Sequence, residues 1–215
     1  KLWTLTYRAL EAQRLLGWRF SLDLALWLAR PLYVAFARDL DTPIHWPGVR
    51  QLTDWTRLSP AEIPLVAEID PMMQVAEVER RLAEGQDCLL GWVGQDLAYY
   101  HWATAQPTYL AYLDKTLRPR ENQVFGDGSY VAPRFRHRGI YQEATTRNLI
   151  YERERGRHSC LFLVAWWHRP SIRVNSRLGC VPVGSIGFWN LGLGRAYFTT
   201  GAVHPSSTGE FSISA

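Results

Sequence analysis

The stretch from Tyr130 to Ala144, Tyr-Val-Ala-Pro-Arg-Phe-Arg-His-Arg-Gly-Ile-Tyr-Gln-Glu-Ala, restricts the fold of this 215-residue chain more than any other. The run ending at Val131 reads as a strand, Pro133 opens a basic turn, and Gly139 precedes a helical pattern. A strand that passes directly into a helix through such a turn gathers several backbone N–H groups and the positive end of the helix dipole at one point. Arg134, Arg136, His137 and Arg138 add donors around it. The expectation is an α/β domain with an anion site and a phosphate-bearing ligand to fill it.

The charge distribution agrees. The net charge is +4, and Arg134 to His158 alone holds seven arginines against three glutamates, which accounts for the whole excess. A nucleic-acid surface would carry a similar patch, but it leaves the glycine turn unexplained, so nucleic acid is set aside as a partner. Part of the run is a solvated helix face, since Glu152, Arg153, Glu154 and Arg155 alternate in sign.

Val131-x-Pro133-x-x-Arg136-x-x-Gly139-Ile140 resembles the signature turn of the GCN5-related N-acetyltransferase (GNAT) superfamily. That superfamily holds the pyrophosphate of acyl-coenzyme A at an Arg/Gln-x-x-Gly-x-Gly/Ala loop. The loop here is Arg136-His137-Arg138-Gly139-Ile140-Tyr141, with Tyr141 in place of a small residue. A second match follows the apolar strand Cys160 to Trp166. The run His168-Arg169-Pro170-Ser171 through Arg177-Leu178-Gly179-Cys180 to Gly184 resembles the short closing helix that ends in Lys/Arg-Leu-Gly-Phe. Cys180 stands where Phe is usual, and His168 where Asn is common. The resemblance implies a central mixed, twisted sheet of six to seven strands flanked by helices. It also implies an acetyl-CoA or longer acyl-CoA donor, bound by Val131, Arg136, His137, Arg138, Gly139, Ile140, Tyr141, Ser171 and Asn175.

The remaining pattern is consistent with one such domain over residues 46–205. Residues 1–45 read as an N-terminal helical extension broken near Gly17 and Pro31, and 206–215 as a flexible tail. The apolar run Leu22 to Leu28 is too short to span a bilayer, and no secretory signal is expected; the extension would pack on its own domain or a second copy in a homodimer, with weak membrane contact as the minority reading. Val49 to Leu52 reads as a first strand, and Ser59-Pro60-Ala61-Glu62 as a helix start. Val75 to Gly85 reads as a helix, and Asp87 to Gly94 with Leu97 to Ala105 as a hairpin. Thr108 to Asn122 is an irregular insertion or short helix. Val124 to Val131 is the central strand and Gly139 to Gly156 the long helix, with Ile140, Tyr141, Ala144 and Tyr151 on one side and Glu143, Arg147 and Glu154 on another. Val181 to Phe188 and Arg195 to Val203 form a closing hairpin.

Ten tryptophans are explained by packing, or by an aromatic pocket for an apolar substrate. Cys88, Cys160 and Cys180 stand singly, without metal-ligand or disulfide spacing, as expected of buried thiols in a cytoplasmic protein with no metal.

Direct acyl transfer to an amine needs a polarised thioester carbonyl, a base and a proton for the thiolate. By analogy with the family, a strand bulge near Gly126 and Gly128 frees an amide between Ser129 and Val131. Strand alternation sets Asp127, Ser129 and Val131 on one face, and a buried Asp127 is the leading base. His101, among aromatics, is the second. His168 orients substrate. Relatives often place a Tyr where this chain has Asn175, so Ser171, Ser176, Tyr141 or water takes the acid role. The reading is an acyl-CoA-dependent N-acyltransferase, acetyl by preference, acting on a small amine or amino acid. The alternatives are a long-chain N-acyl amino acid synthase fed by an acyl carrier protein or long-chain acyl-CoA, and a non-catalytic module of the same fold.

Overall fold

The structure, a computed structural model, describes residues 30–45, 48, 50–190 and 194–214. The helices expected over residues 2–29 lie outside this range. In chain order the elements are β1 (Leu32–Asp39), β2 (Asp54–Arg57), α1 (Ile63–Ile69), α2 (Val75–Ala83), β3 (Asp87–Val93), β4 (Asp96–Thr104), β5 (Thr108–Leu110), β6 (Lys115–Leu117) and β7 (Gln123–Val131). Then come α3 (Ile140–Glu154), β8 (Ser159–Ala165), α4 (Arg169–Arg177), β9 (Val181–Asn190), β10 (Arg195–Gly201), β11 (Val203–Pro205) and β12 (Glu210–Ile213).

The segment after Pro31 corrects the helical reading of residues 1–45. Leu32 to Asp39 is a strand lying antiparallel between β8 and β9, with Tyr33 opposite both Ala165 and Ile186. It is buried on both faces: Tyr33, Ala35 and Ala37 enter one core cluster and Phe36 another. A doubly buried strand carries a continuous apolar run, the same pattern as a buried helix segment. The main sheet therefore has eight strands rather than six or seven, ordered β10-β9-β1-β8-β7-β4-β3-β2. The edge strand β2 begins at Asp54, and Arg50, Gln51 and Leu52 of the expected first strand lie outside it.

Two further segments join a second, four-stranded sheet, β11-β12-β6-β5. The expected insertion Thr108 to Asn122 contains the β5–β6 hairpin, and the expected loose tail contributes β12, which runs parallel to β6. Phe211 and Ile213 are 2% and 0% exposed; burying two large side chains offsets the cost of ordering those residues.

The sheets and helices form layers. Helices α3 and α4 cover one face of the large sheet, packing on Phe36, Phe162, Tyr99 and Ala98. Helices α1 and α2 and the small sheet cover the other, packing on Trp102, Tyr100, Phe125 and Leu161.

Candidate active site

The site begins where the two parallel strands at the centre part. Strands β7 and β8 pair only from Gln123 with Ser159 to Gly126 with Phe162, although β7 continues to Val131. Gly126 allows the last contact: a Cβ there would lie 2.7 Å from the Phe162 ring and 3.0 Å from His101. Beyond it, among the described residues, β7 pairs only with β4. Ala132 N–H donates to Ala98 O at 2.9 Å, so strand alternation turns the N–H groups of Ser129 and Val131 toward the opposite, open edge.

A bulge sits at the parting. His101 pairs with Ser129 and Ala103 with Gly126, leaving Asp127 and Gly128 opposite Trp102 alone. Gly128 has φ +97°, a conformation that glycine adopts freely. The extra residue reverses the expected alternation. Asp127 projects to the α1/α2 face, while Ser129 and Val131, opposite His101 and Tyr99, face α3.

On the α1/α2 face, Asp127 accepts a hydrogen bond from Arg81 of α2, Nη1 to Oδ2 at 3.0 Å. The same guanidinium lies over the Trp102 ring, 5.4 Å from its centre. Burial raises the Asp127 carboxyl and Arg81 pulls it back, with burial the larger effect. Tyr33 and Tyr112, with ring centres 4.8 Å apart, wall this side, close enough for the Asp127 charge to act on the Tyr112 phenol.

On the α3 face, hydroxyls converge. Tyr141, in the first turn of α3, has its ring centre 6.4 Å from that of Tyr99, and the hydroxyls of Ser171 of α4, Ser129 of β7 and Thr145 act on its phenol. Burial raises its phenol, and these hydroxyls oppose the shift. Tyr99 faces Ser129 and Thr145 but closes no hydrogen bond with its own hydroxyl. The structure thus brings Ser129, Tyr141 and Ser171 together across the gap between β7 and β8. Asn175, one turn beyond Ser171 on α4, is fully buried with both amide atoms unpartnered among the described residues.

His101 lies deeper. It is 3% exposed, with Nε2 3.1 Å from Asn148 Nδ2. Burial lowers its pKa to about 4, so it stays neutral at ordinary pH and is a weak proton acceptor.

The backbone from β7 through Gly139 into α3 takes the expected strand–turn–helix course, and the arginines of the turn are already engaged. Gly139 caps α3 at φ 80°, ψ 2°, and Glu143 N–H makes an early helix bond to Gly139 O. The N–H groups of Ile140, Tyr141 and Gln142 therefore precede the helical ladder and point outward. The Glu143 carboxylate, which would repel an anion there, is drawn aside to the N–H groups of Gln51 (2.6 Å) and Leu52 (3.2 Å) and to Arg147. Arg136 Nε donates to Val131 O at 3.1 Å, Arg138 lies over Phe135, and Arg134 pairs with Asp96 at 2.9 Å. His137 holds φ 63°. These side chains buttress the turn, and the N–H groups of Ile140, Tyr141 and Gln142 remain its outward backbone donors. A separate cleft of about 420 Å³, lined by Arg50, Trp55, Arg147 and Tyr151, opens on the far side of α3.

Sequence reasoning missed Arg81, Tyr99 and Thr145. Tyr99 alternates with His101 on β4, so the strand pattern held that signal; Arg81 carried none.

A mixed sheet parted between two parallel strands, a bulge at the parting and a glycine turn feeding a helix define the GNAT fold. The structure is similar to a GCN5-related glucosamine N-acetyltransferase region in a fungal multi-domain GH3 β-N-acetylglucosaminidase, with TM-score 0.56 and 15% identity over 72% of this chain and 20% of that one. It is also similar to an assigned GNAT-family acetyltransferase from Novosphingobium aromaticivorans, with TM-score 0.52 and 13% identity over 74% of this chain and 65% of that one. A functionally unknown conserved protein from Staphylococcus epidermidis gives 0.50 and 12% over 76% and 63%. The chain thus spans just under two thirds of the length of these two bacterial structures. No protein-family model matches the sequence, and no curated protein does.

Proposed function

We propose that the chain is an acyl-coenzyme A-dependent N-acyltransferase that moves an acetyl group to a primary amine. The observation that carries this reading is the open edge of β7, where the Ser129 and Val131 N–H groups face a gap that starts at Gly126. A thioester lying in that gap has its carbonyl oxygen within reach of these fixed donors, which stabilise the charge that grows on it during attack. The pyrophosphate sits at the N–H groups of Ile140 to Gln142. The buried amide of Asn175 gives one donor and one acceptor to an amide of the pantetheine arm.

The bulge supports a division of labour. The amine approaches from the α1/α2 face, where Asp127 accepts its proton and Tyr33 and Tyr112 line the path. The acyl donor occupies the α3 face. Calorimetric titration with acetyl-CoA and with a long-chain acyl-CoA tests the donor: preferential binding of acetyl-CoA is expected. Binding of only the long-chain donor, or acylation only from an acyl carrier protein, replaces the acetyl reading. Asp127→Asn is expected to lower kcat about a hundredfold or more, and unchanged turnover removes Asp127 from the mechanism. A non-catalytic module is the second reading. Its support is Arg81, because a carboxylate already bound to a guanidinium is a weaker base; no consumption of acyl-CoA across a broad amine panel favours it.

A further inference from the structure

We propose that Phe162 sets the length of the acyl group the protein accepts: its ring, lodged over Gly126, seals the narrow end of the gap between β7 and β8 and excludes all but short chains. The inference rests on the acyltransferase reading. The turn that would hold the pyrophosphate follows Val131, at the wide end of the gap. The parallel ladder closes the other end at the Gly126–Phe162 pair. A donor laid along the gap from the turn therefore meets the closed end with its acyl group.

That end is filled. A Cβ at Gly126 would lie 2.7 Å from Phe162 Cε1 and 2.9 Å from Cδ1, with His101 Cε1 at 3.0 Å. The Phe162 ring thus reaches from β8 onto β7 and occupies the space that a side chain at 126 would take. It is 5% exposed and belongs to the core cluster of Ala103, Val124, Leu149 and Leu178, so it does not swing aside without displacing close-packed neighbours. His101, the other boundary, is held through Nε2 by Asn148 at 3.1 Å.

The room above the ring is small. Ser129 and Gly126 stand opposite His101 and Ala103, two residues apart on β4, so the Ser129 N–H is about 6.7 Å above the closed end. Contact with the ring takes up about 3.5–4 Å of that. About 3 Å is left beyond a carbonyl held at Ser129, the reach of about two C–C bonds. Acetyl and propanoyl groups fit this space, and longer chains run into the ring. The detour past the bulge leads onto the α1/α2 face, where Asp127 is paired with Arg81 and the Tyr33 and Tyr112 ring centres are 4.8 Å apart; an alkyl tail there would desolvate the carboxylate and occupy the path of the amine.

The test is calorimetric titration of the full chain with CoA and with acetyl-, propanoyl-, butanoyl- and hexanoyl-CoA, repeated for Phe162→Leu and Phe162→Ala. The wild type is expected to lose affinity about tenfold or more between propanoyl-CoA and hexanoyl-CoA. Phe162→Leu should recover butanoyl-CoA and Phe162→Ala hexanoyl-CoA, with the affinity for CoA itself unchanged. Retained CoA binding marks a variant whose donor site is folded; if Phe162→Ala loses it, the milder Phe162→Leu and the wild-type series still decide. Hexanoyl-CoA bound by the wild type as tightly as acetyl-CoA overturns the inference alone. So does a CoA-binding variant whose chain-length profile matches that of the wild type, since the tail then lies elsewhere. A wild-type protein that binds neither CoA nor acetyl-CoA overturns both the inference and the reading beneath it.

Discussion

The two faces of the large sheet are built from different materials. Under α3 and α4 the interior holds Tyr99, Ser129, His101, Asn148 and Asn175, a line of hydroxyls, an imidazole and amides, several with unpaired atoms. Under α1, α2 and the small sheet it holds Trp102, Tyr100, Phe125 and Leu161, with two carboxylates that are both partnered, Asp127 by Arg81 and the buried Asp70 by the Tyr100 hydroxyl. Helix α3 shows the cost of the first arrangement. It buries Glu143, Thr145, Thr146, Asn148 and Glu152, groups that weaken a fold unless something pairs with them. On the proposed function, the aromatic face stabilises the domain, while the polar face is kept for the ligand.

Three measurements would break or sharpen that contrast. Trp102→Ala, on the aromatic face, should lower unfolding free energy by about 3–5 kcal/mol in urea titrations, since Trp102 is fully buried; a loss below about 1 kcal/mol would move the weight of the fold to the other face. On the polar face, His101 has its pKa lowered from 6.5 to about 4 by burial. The unfolded chain takes up a proton there before the folded one does, so stability is full above about pH 6.5 and declines as pH falls to 4. The loss from this group is on the order of 3 kcal/mol. His101→Gln should flatten that part of the stability curve; an unaltered slope assigns it to other groups. The smallest effect is expected for Asn175→Leu, which replaces two unpaired polar atoms with carbon and should change stability by less than about 1 kcal/mol, while weakening acyl-CoA binding. A large destabilisation would mean that the amide has partners in the folded protein and is not held for a ligand.

The central unit was legible because its signals are local. Pro133, Gly139 and the apolar run of β8 mark the strand, turn and helix within a few residues, and the hairpin at Gly94 to Asp96 is marked in the same way. Asp127 was legible as buried but not on its correct face. The resemblance placed a bulge near Gly126 and Gly128, but the face of Asp127 was read from regular alternation, which the one extra residue at Gly128 reverses. The buried side of α3 was hidden for a different reason: Thr145, Asn148 and Glu152 at helical spacing look like a solvated stripe until tertiary packing covers them. Strand β1 was hidden by its neighbours, since the aromatic and β-branched residues after Pro31 follow a Leu- and Ala-rich stretch that reads as helix. No property of residues 32–39 alone reveals that they belong between strands formed much later in the chain.

That placement has a consequence for synthesis. Strand β1 leaves the ribosome long before β8 and β9, the strands on either side of it, exist. Until they are made, Tyr33, Val34 and Phe36 have no sheet to enter, and the centre of the domain cannot close. Contacts between distant parts of a chain must overcome the entropy of the loop between them, so the half of the sheet from β2 to β7 can assemble first. Strand β1, made early, then bridges β8, the neighbour of that half, to the β9–β10 pair.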